Sequence, residues 1–196
     1  GGWRAGGGGG GVGGAGGCGV PAARGTNEGL FIGRGVAGSA AGIVFSSFGK
    51  GTLNDPWLAP MSGDAKAVPL SMSRFNEVTE SVSRDGRWLA YLSNQSGAFD
   101  LYLAAFPSMA HRVQVSAGGV SETGAWWMPA GNEICYIAGG GQDLMSVAVK
   151  PMGDALEIGT PRVVFRLPPD LLGLDFTPDG QRVLISVPQS GDDSRK

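Results

Sequence analysis

Short runs of alternating apolar and polar residues, each closed by a turn signal, recur along this chain. The clearest copy is SVSRDGRWLAYLSNQSGAFDLYLAAF, residues 81–106; a weaker one is WWMPAGNEICYIAGGGQDLMSVAV, residues 126–149; a third begins at LDFTPDGQRVLISV, residues 174–187. In each, a short β-rich run meets a turn pair: Asp85-Gly86, Ala130-Gly131 or Asp179-Gly180, spaced 45 and then 49 residues apart. Gly86, Gly131 and Gly180 are the residues that can take a positive φ without steric cost, so these positions and their aspartates, Asp85 and Asp179, are expected to be structural turns. A second β-rich run follows each turn, at residues 88–91, 134–137 and 183–186. In the first two copies a polar break and an acidic residue, Asp100 or Asp143, then open a third run, and a fourth lies at residues 111–115 and 162–165. Further back the pattern fades: residues 43–47 match the second strand, 55–58 the third and 65–70 the fourth, with no Asp-Gly turn ahead of them.

Four short strands with turn signals about every ten residues make one antiparallel blade. A repeat of about 45–50 residues points to a β-propeller, one blade per repeat. The expected fold is therefore all-β: a partial β-propeller of about three to four antiparallel four-stranded blades. The blades fall at about 26–73, 74–119 and 120–170, with an incomplete one at 171–188.

The first 25 residues are different material. Fourteen of them are glycine and none is acidic. Such a stretch cannot bury enough apolar surface to offset its ordering entropy, so 1–25 is expected to be a disordered leader and 189–196 a polar tail.

Charge and cysteine content exclude several classes. Net charge is −2 with 16% charged residues and no basic patch, which argues against nucleic-acid binding. No apolar run approaches the ~18 residues that a membrane helix needs. Two cysteines make no disulfide framework, and no His/Cys set has metal-ligand spacing. Cys135, inside a strand run, reads as a small buried apolar residue. His111 stands in the strand-like HRVQV with no nucleophile or orienting partner marked, so it reads as an exposed or capping residue. Gly33–Gly38 fits G-x-G-x-x-G, but residues 39–42 lead straight into the apolar 43–45, leaving no room for the helix a dinucleotide site requires. No G-x-S-x-G elbow occurs. Neither catalytic residues nor cofactor or metal ligands are expected in this chain.

Propellers bind partners where the loops entering each innermost strand converge. Those loops are expected at residues 73–80, 118–124 and 171–175, offering Arg74, Asn76, Glu77, Glu80, Ser121, Glu122 and Asp175. Asn76, Glu77, Glu80, Glu122 and Trp126 are the candidate partner-binding residues, for a protein or peptide partner. For Trp126 and Trp127 the favoured reading is blade-to-blade packing, where aromatic area commonly goes.

Residues 43–188 resemble the TolB-type (WD-repeat-like) propeller, whose blades read F-S-P-D-G-x-x-[LI]-A-Y-x-S-x-x-x-G-x-x-[DE]-[LIV]-Y. Phe176-Thr177-Pro178-Asp179-Gly180 keeps the opening almost intact; residues 82–86 have Arg for Pro, and 127–131 lose the aspartate. Within that span, residues 58–188 are similar to the C-terminal propeller of bacterial receptor-like serine/threonine protein kinases. The matched segments are Pro60–Asp64, Arg74–Glu77, Asp85–Gly97, Ala105–Pro107 and Gln114–Gly119. The resemblance implies a non-catalytic interaction or sensor module in a periplasmic or extracytoplasmic setting. The alternatives are the sensory tail of a kinase whose catalytic domain lies elsewhere, or the propeller of a prolyl-oligopeptidase-type peptidase. The chain lacks an initial Met and a signal-peptide core, and reads as part of a longer protein. About 170 residues at ~45 per blade fall short of the four to eight blades that close a propeller. A larger parent propeller, or several copies together, would complete the ring, and open blade edges offer a route to self-association.

Overall fold

A computed structural model of the chain describes residues 30–36, 42–48, 53–60, 66–138 and 140–188. The glycine-rich stretch 1–25 and the tail 189–196 lie outside the described residues. Every regular element described is a β-strand, and every pairing is antiparallel.

The strands form successive sheets, each drawn from one continuous stretch of chain. The first holds β1 (Leu30–Val36), β2 (Ile43–Phe48), β3 (Asn54–Ala59) and β4 (Val68–Pro69), in that order. The second holds β5 (Glu77–Val82), β6 (Trp88–Ser93), β7 (Asp100–Ala105) and β8 (Val113–Gln114). The third pairs β9 (Val120–Trp127), β10 (Glu133–Ala138) and β11 (Asp143–Met152). Two strands share the far edge of β11: β13 (Arg162–Arg166) along residues 143–146 and β12 (Ala155–Ile158) along 149–152. The last is the hairpin of β14 (Gly173–Phe176) and β15 (Val183–Ser186). This is a partial β-propeller.

The packing follows from the two-residue period of a strand. On β6 and β7, Leu89, Tyr91, Tyr102 and Ala104 face the first sheet and meet Val44 and Leu58. The alternate set, Ala90, Leu92, Leu101 and Leu103, faces the third sheet and meets Ile134, Tyr136, Val147 and Val149. Both faces are covered, so all six residues of β6 are buried and WLAYLS reads as a near-continuous apolar run. The third sheet repeats the arrangement: Cys135, Ile137 and Leu144 turn away from the second sheet and pack with Leu174, Phe176, Val183 and Ile185. On β15 the alternation continues, but only one face is covered, and Leu184 is 70% exposed.

Several expectations are corrected here. The innermost strand of the second sheet begins at Glu77, so Glu77 and Glu80 are strand residues rather than members of a loop at 73–80. The polar composition of EVTESV conceals the strand: Glu77 Oε1 and Glu80 Oε2 find their partners inside the fold rather than in solvent. Likewise β9 starts at Val120, shortening the loop expected at 118–124. The fourth strand of the second sheet is only Val113–Gln114; His111 precedes it with φ 51 and is no strand residue. Gly33–Val36, the described part of the G-x-G-x-x-G motif, lies in β1, which bulges between Phe31 and Gly35 and pairs with β2.

Candidate interaction surface

In the first two sheets the loops that enter the inner strands are tied together by one acidic position per repeat. In the second sheet this is Asp100, the first residue of β7, which is 2% exposed. Its Oδ1 accepts from the Ser116 hydroxyl at 3.1 Å and from the Gly119 N–H at 3.1 Å. Its Oδ2 accepts from the Ser96 hydroxyl at 2.6 Å and the Gln114 amide at 3.1 Å. One carboxylate thus joins the β6–β7 loop, the end of β8 and the entry to β9. Charge-assisted bonds of this kind are about twice as strong as neutral ones, and burial makes each donor depend on its partner. In the first sheet Asp55 takes the same place, fully buried, and its Oδ1 accepts from the Ser73 N–H at 3.2 Å. In the third sheet Asp143 is partly exposed and pairs with the exposed Arg166 at 3.3 Å.

The candidate residues divide by role. Asn76 accepts from the Asn54 N–H through its Oδ1 at 3.1 Å, and its own N–H donates to Asn94 Oδ1 at 2.9 Å. It fastens the β4–β5 connection to the loops beside it. Glu77 is wholly buried and paired with Arg112 at 3.2 Å. The Arg112 guanidinium also donates to the Ser71 hydroxyl and the Met109 carbonyl, each at 3.0 Å, and lies 5.9 Å from the centre of the Tyr91 ring. Burial pushes the Tyr91 hydroxyl up to about 12, against the opposing charge of Arg112.

Glu80 is 6% exposed and sits where the β5–β6 register shifts between Thr79 and Ser81. Its Oε2 accepts from the Gly124 N–H at 3.0 Å and the Ala125 N–H at 3.2 Å, strapping β5 to the next inner strand. Ser81 adds a hydroxyl bond to the Ala125 carbonyl at 3.1 Å. Trp126 is half-buried and meets Phe176 edge-on, with ring centres 5.6 Å apart, so it packs between the last two sheets. The side chains of Ser121 and Glu122 lie outside the described ones. Asp175 is exposed and accepts from the Phe176 N–H at 2.9 Å.

The polar candidates at this rim therefore hold loops and strands in place. Among the side chains the rim turns to solvent are Met72, 68% exposed, Gln95, and Arg74, whose guanidinium lies 5.0 Å from the centre of the Phe75 ring. Arg74 is among the residues the sequence offers. Met72 and Gln95 carry no sequence signal, because a lone methionine or glutamine in a loop resembles any other surface residue.

The inter-strand turns occupy the opposite face. Asp85 accepts from the Ser83 hydroxyl at 2.6 Å and the Arg87 N–H at 3.1 Å, and Gly86 has φ 70. Thr177, Asp179 and Gly180 repeat this arrangement, and the Thr177 hydroxyl, then the Gln181 N–H, holds the Asp179 carboxyl below its usual range. The third sheet has Ala130 at this place, and the turn is kept by Gly131 at φ 75 and its N–H bond to Met128. Among the described residues no group of three His, Cys, Asp or Glu could hold a metal ion. Burial, then the nearby Glu133, pushes the Cys135 thiol up to about 12, so it stays protonated in the core.

No family model matches the chain, and no curated protein does either. Solved structures do. Putative TolB from Agrobacterium tumefaciens is 13% identical with a TM-score of 0.50; the match covers 72% of this chain and 50% of that one. TolB from Acinetobacter baumannii is 15% identical with a TM-score of 0.51, over 80% of this chain and 48% of that one. An oligogalacturonate lyase from Vibrio parahaemolyticus, 16% identical over 74% of this chain and 37% of that one, reaches only 0.48, too loose a likeness to argue from. The chain has a TolB-like β-propeller fold and spans about half the length of the two TolB structures.

Proposed function

We propose that this chain is a non-catalytic interaction module whose loop rim binds a protein or peptide partner. One observation carries the reading: the rim is a rigid frame, its buried carboxylates spent on loop-tying, with Met72, Arg74 stacked on Phe75, and Gln95 left facing solvent. A preorganised surface binds without the entropic cost of ordering its loops. Arginine and methionine are both enriched at interface cores. The partner that suits this rim is a peptide carrying an apolar residue beside an acidic one.

Selection of binders to the full chain from a random-peptide library tests it. The selected peptides should combine acidic and apolar residues and lose about ten-fold or more in affinity for an Arg74→Glu, Met72→Asp variant. Peptides that bind the variant as tightly as the parent overturn the rim as the site.

A second reading places the module as the extracytoplasmic sensory tail of a serine/threonine kinase. It rests on the matched segments at 60–64, 74–77, 85–97, 105–107 and 114–119. Upstream coding sequence decides it: H-R-D and D-F-G segments ahead of a membrane helix would support a kinase parent, and further blades behind a signal peptide would remove it.

A further inference from the structure

On the face opposite the rim, a cleft of about 270 Å³ opens between the turn after β5, the β7–β8 connection and the β11–β12 turn. Its walls include Arg87, Trp88, Phe106, Ser108, His111 and Asp154. Arg87 is fixed by its Nη2, which donates across the sheets to the Gly153 carbonyl at 3.0 Å. It makes no ion pair among the described residues, although the Asp154 carboxylate lines the same cleft. Trp88 is 3% exposed, and its indole N–H is buried without a hydrogen-bond partner.

The β7–β8 connection supplies the other wall and is rigid. Ala105 N–H bonds to the Ala110 carbonyl at 2.8 Å, Met109 N–H to the Ala105 carbonyl at 2.7 Å, and Phe106 N–H to the Arg87 carbonyl at 2.7 Å. Two non-glycine residues here are left-handed, Met109 at φ 56 and His111 at φ 51. Met109 recovers that strain by burying its side chain, but His111 is exposed and recovers nothing by packing. Unrepaid backbone strain concentrates at binding sites, where it fixes a side chain in place.

A cation, an imidazole, a hydroxyl and a carboxylate thus line one cleft together with two aromatic side chains. We propose that this cleft binds an α-amino carboxylate: the carboxylate at Arg87 and His111, the apolar side chain on Phe106 and Trp88, and the amino or amide nitrogen toward Asp154. A peptide's C-terminal residue and a free amino acid share this chemistry. The volume of about 270 Å³, just below the usual range of ligand pockets (about 300–1,000 Å³), suits one residue. The site lies away from the rim, so it stands or falls separately from the reading above.

Tryptophan fluorescence and calorimetry on the full chain test it, with three probes: acetyl-Ala-Ala-Phe with a free carboxylate, its C-terminal amide, and free phenylalanine. The acid should bind about ten-fold or more tightly than the amide. Arg87→Gln should weaken the acid by about the same factor. His111→Gly relieves the left-handed strain, so it should raise thermal stability while weakening binding, which separates loss of the ligand contact from loss of fold. Free phenylalanine binding more tightly than the tripeptide assigns the site to amino acids; the reverse order assigns it to peptide C-termini. Equal binding of acid and amide, unchanged binding by Arg87→Gln, or no binding at millimolar concentration overturns the proposal.

Discussion

Asp100 shows how much one side chain carries. Removing its carboxylate takes an acceptor from Ser96, Gln114, Ser116 and Gly119 at once. Asp100→Ala should lower unfolding stability in urea by about 3 kcal/mol, and Asp100→Asn, which keeps one acceptor oxygen, by about 1–2 kcal/mol. The equivalent Asp143→Ala should cost under about 1 kcal/mol, because that aspartate has moved to a surface ion pair with Arg166. Equal losses at the two sites would show that burial is not what makes Asp100 a hub. The acidic residue ahead of the third strand was legible from the repeat alone, since Asp100 and Asp143 recur at matched places. Its degree of burial was not, because that depends on what the neighbouring loops donate. Glu77 and Glu80 illustrate the same blindness. A carboxylate in a polar run reads as exposed, and only the arrival of Arg112 from 35 residues away, or of two backbone N–H groups from the next blade, reverses it.

At the scale of the strand, legibility followed hydrophobic content. The hairpin of β6 and β7 announces itself because both its faces are covered and its residues are apolar in sequence. The first half of β5 is hidden by its glutamates. β12 is hidden because its hairpin, turning at Gly153, falls between the third run that Asp143 opens and the fourth at 162–165. HRVQV alternates like a strand, yet the left-handed turn at His111 breaks it before Val113. The inner strand β9 depends on a glycine that no pattern marks. Gly124 has φ 117, and a Cβ there would lie 2.6 Å from the Trp126 ring and 3.1 Å from Ile137. Its N–H also receives Glu80, so the close approach of the two inner strands is built on it. Gly124→Ala should cost about 3 kcal/mol in thermal or urea unfolding. Gly131→Ala is the control: its φ of 75 is also left-handed, but nothing lies within 4 Å of the added carbon, so about 1 kcal/mol is expected. A similar cost at both would remove the packing argument and leave only backbone conformation.

For the whole molecule, the last described sheet, β14 and β15, has one face uncovered among the described residues. Two strands show exposed apolar residues at that end, and they are defended differently. β13, RVVFR, exposes Val163 and Val164 but is flanked by Arg162 and Arg166, which pair with Glu133 at 3.1 Å and Asp143 at 3.3 Å. Charges so placed discourage edge-to-edge pairing. β15, VLIS, has no charge within it, exposes Leu184 at 70%, and is followed by the exposed Val187. The repeat pattern explains the difference: Leu184 occupies the register that Cys135 fills in the third sheet, a position built to be covered by a following sheet. Association of the chain with itself should therefore run through β15 rather than β13. Light scattering of the full chain should show mass rising with concentration. Leu184→Lys with Val187→Lys should suppress that rise, whereas Val163→Lys should leave it largely unchanged. A monomer with a sharp, concentration-independent melting transition would show that three sheets and a hairpin are enough to close this fold on their own.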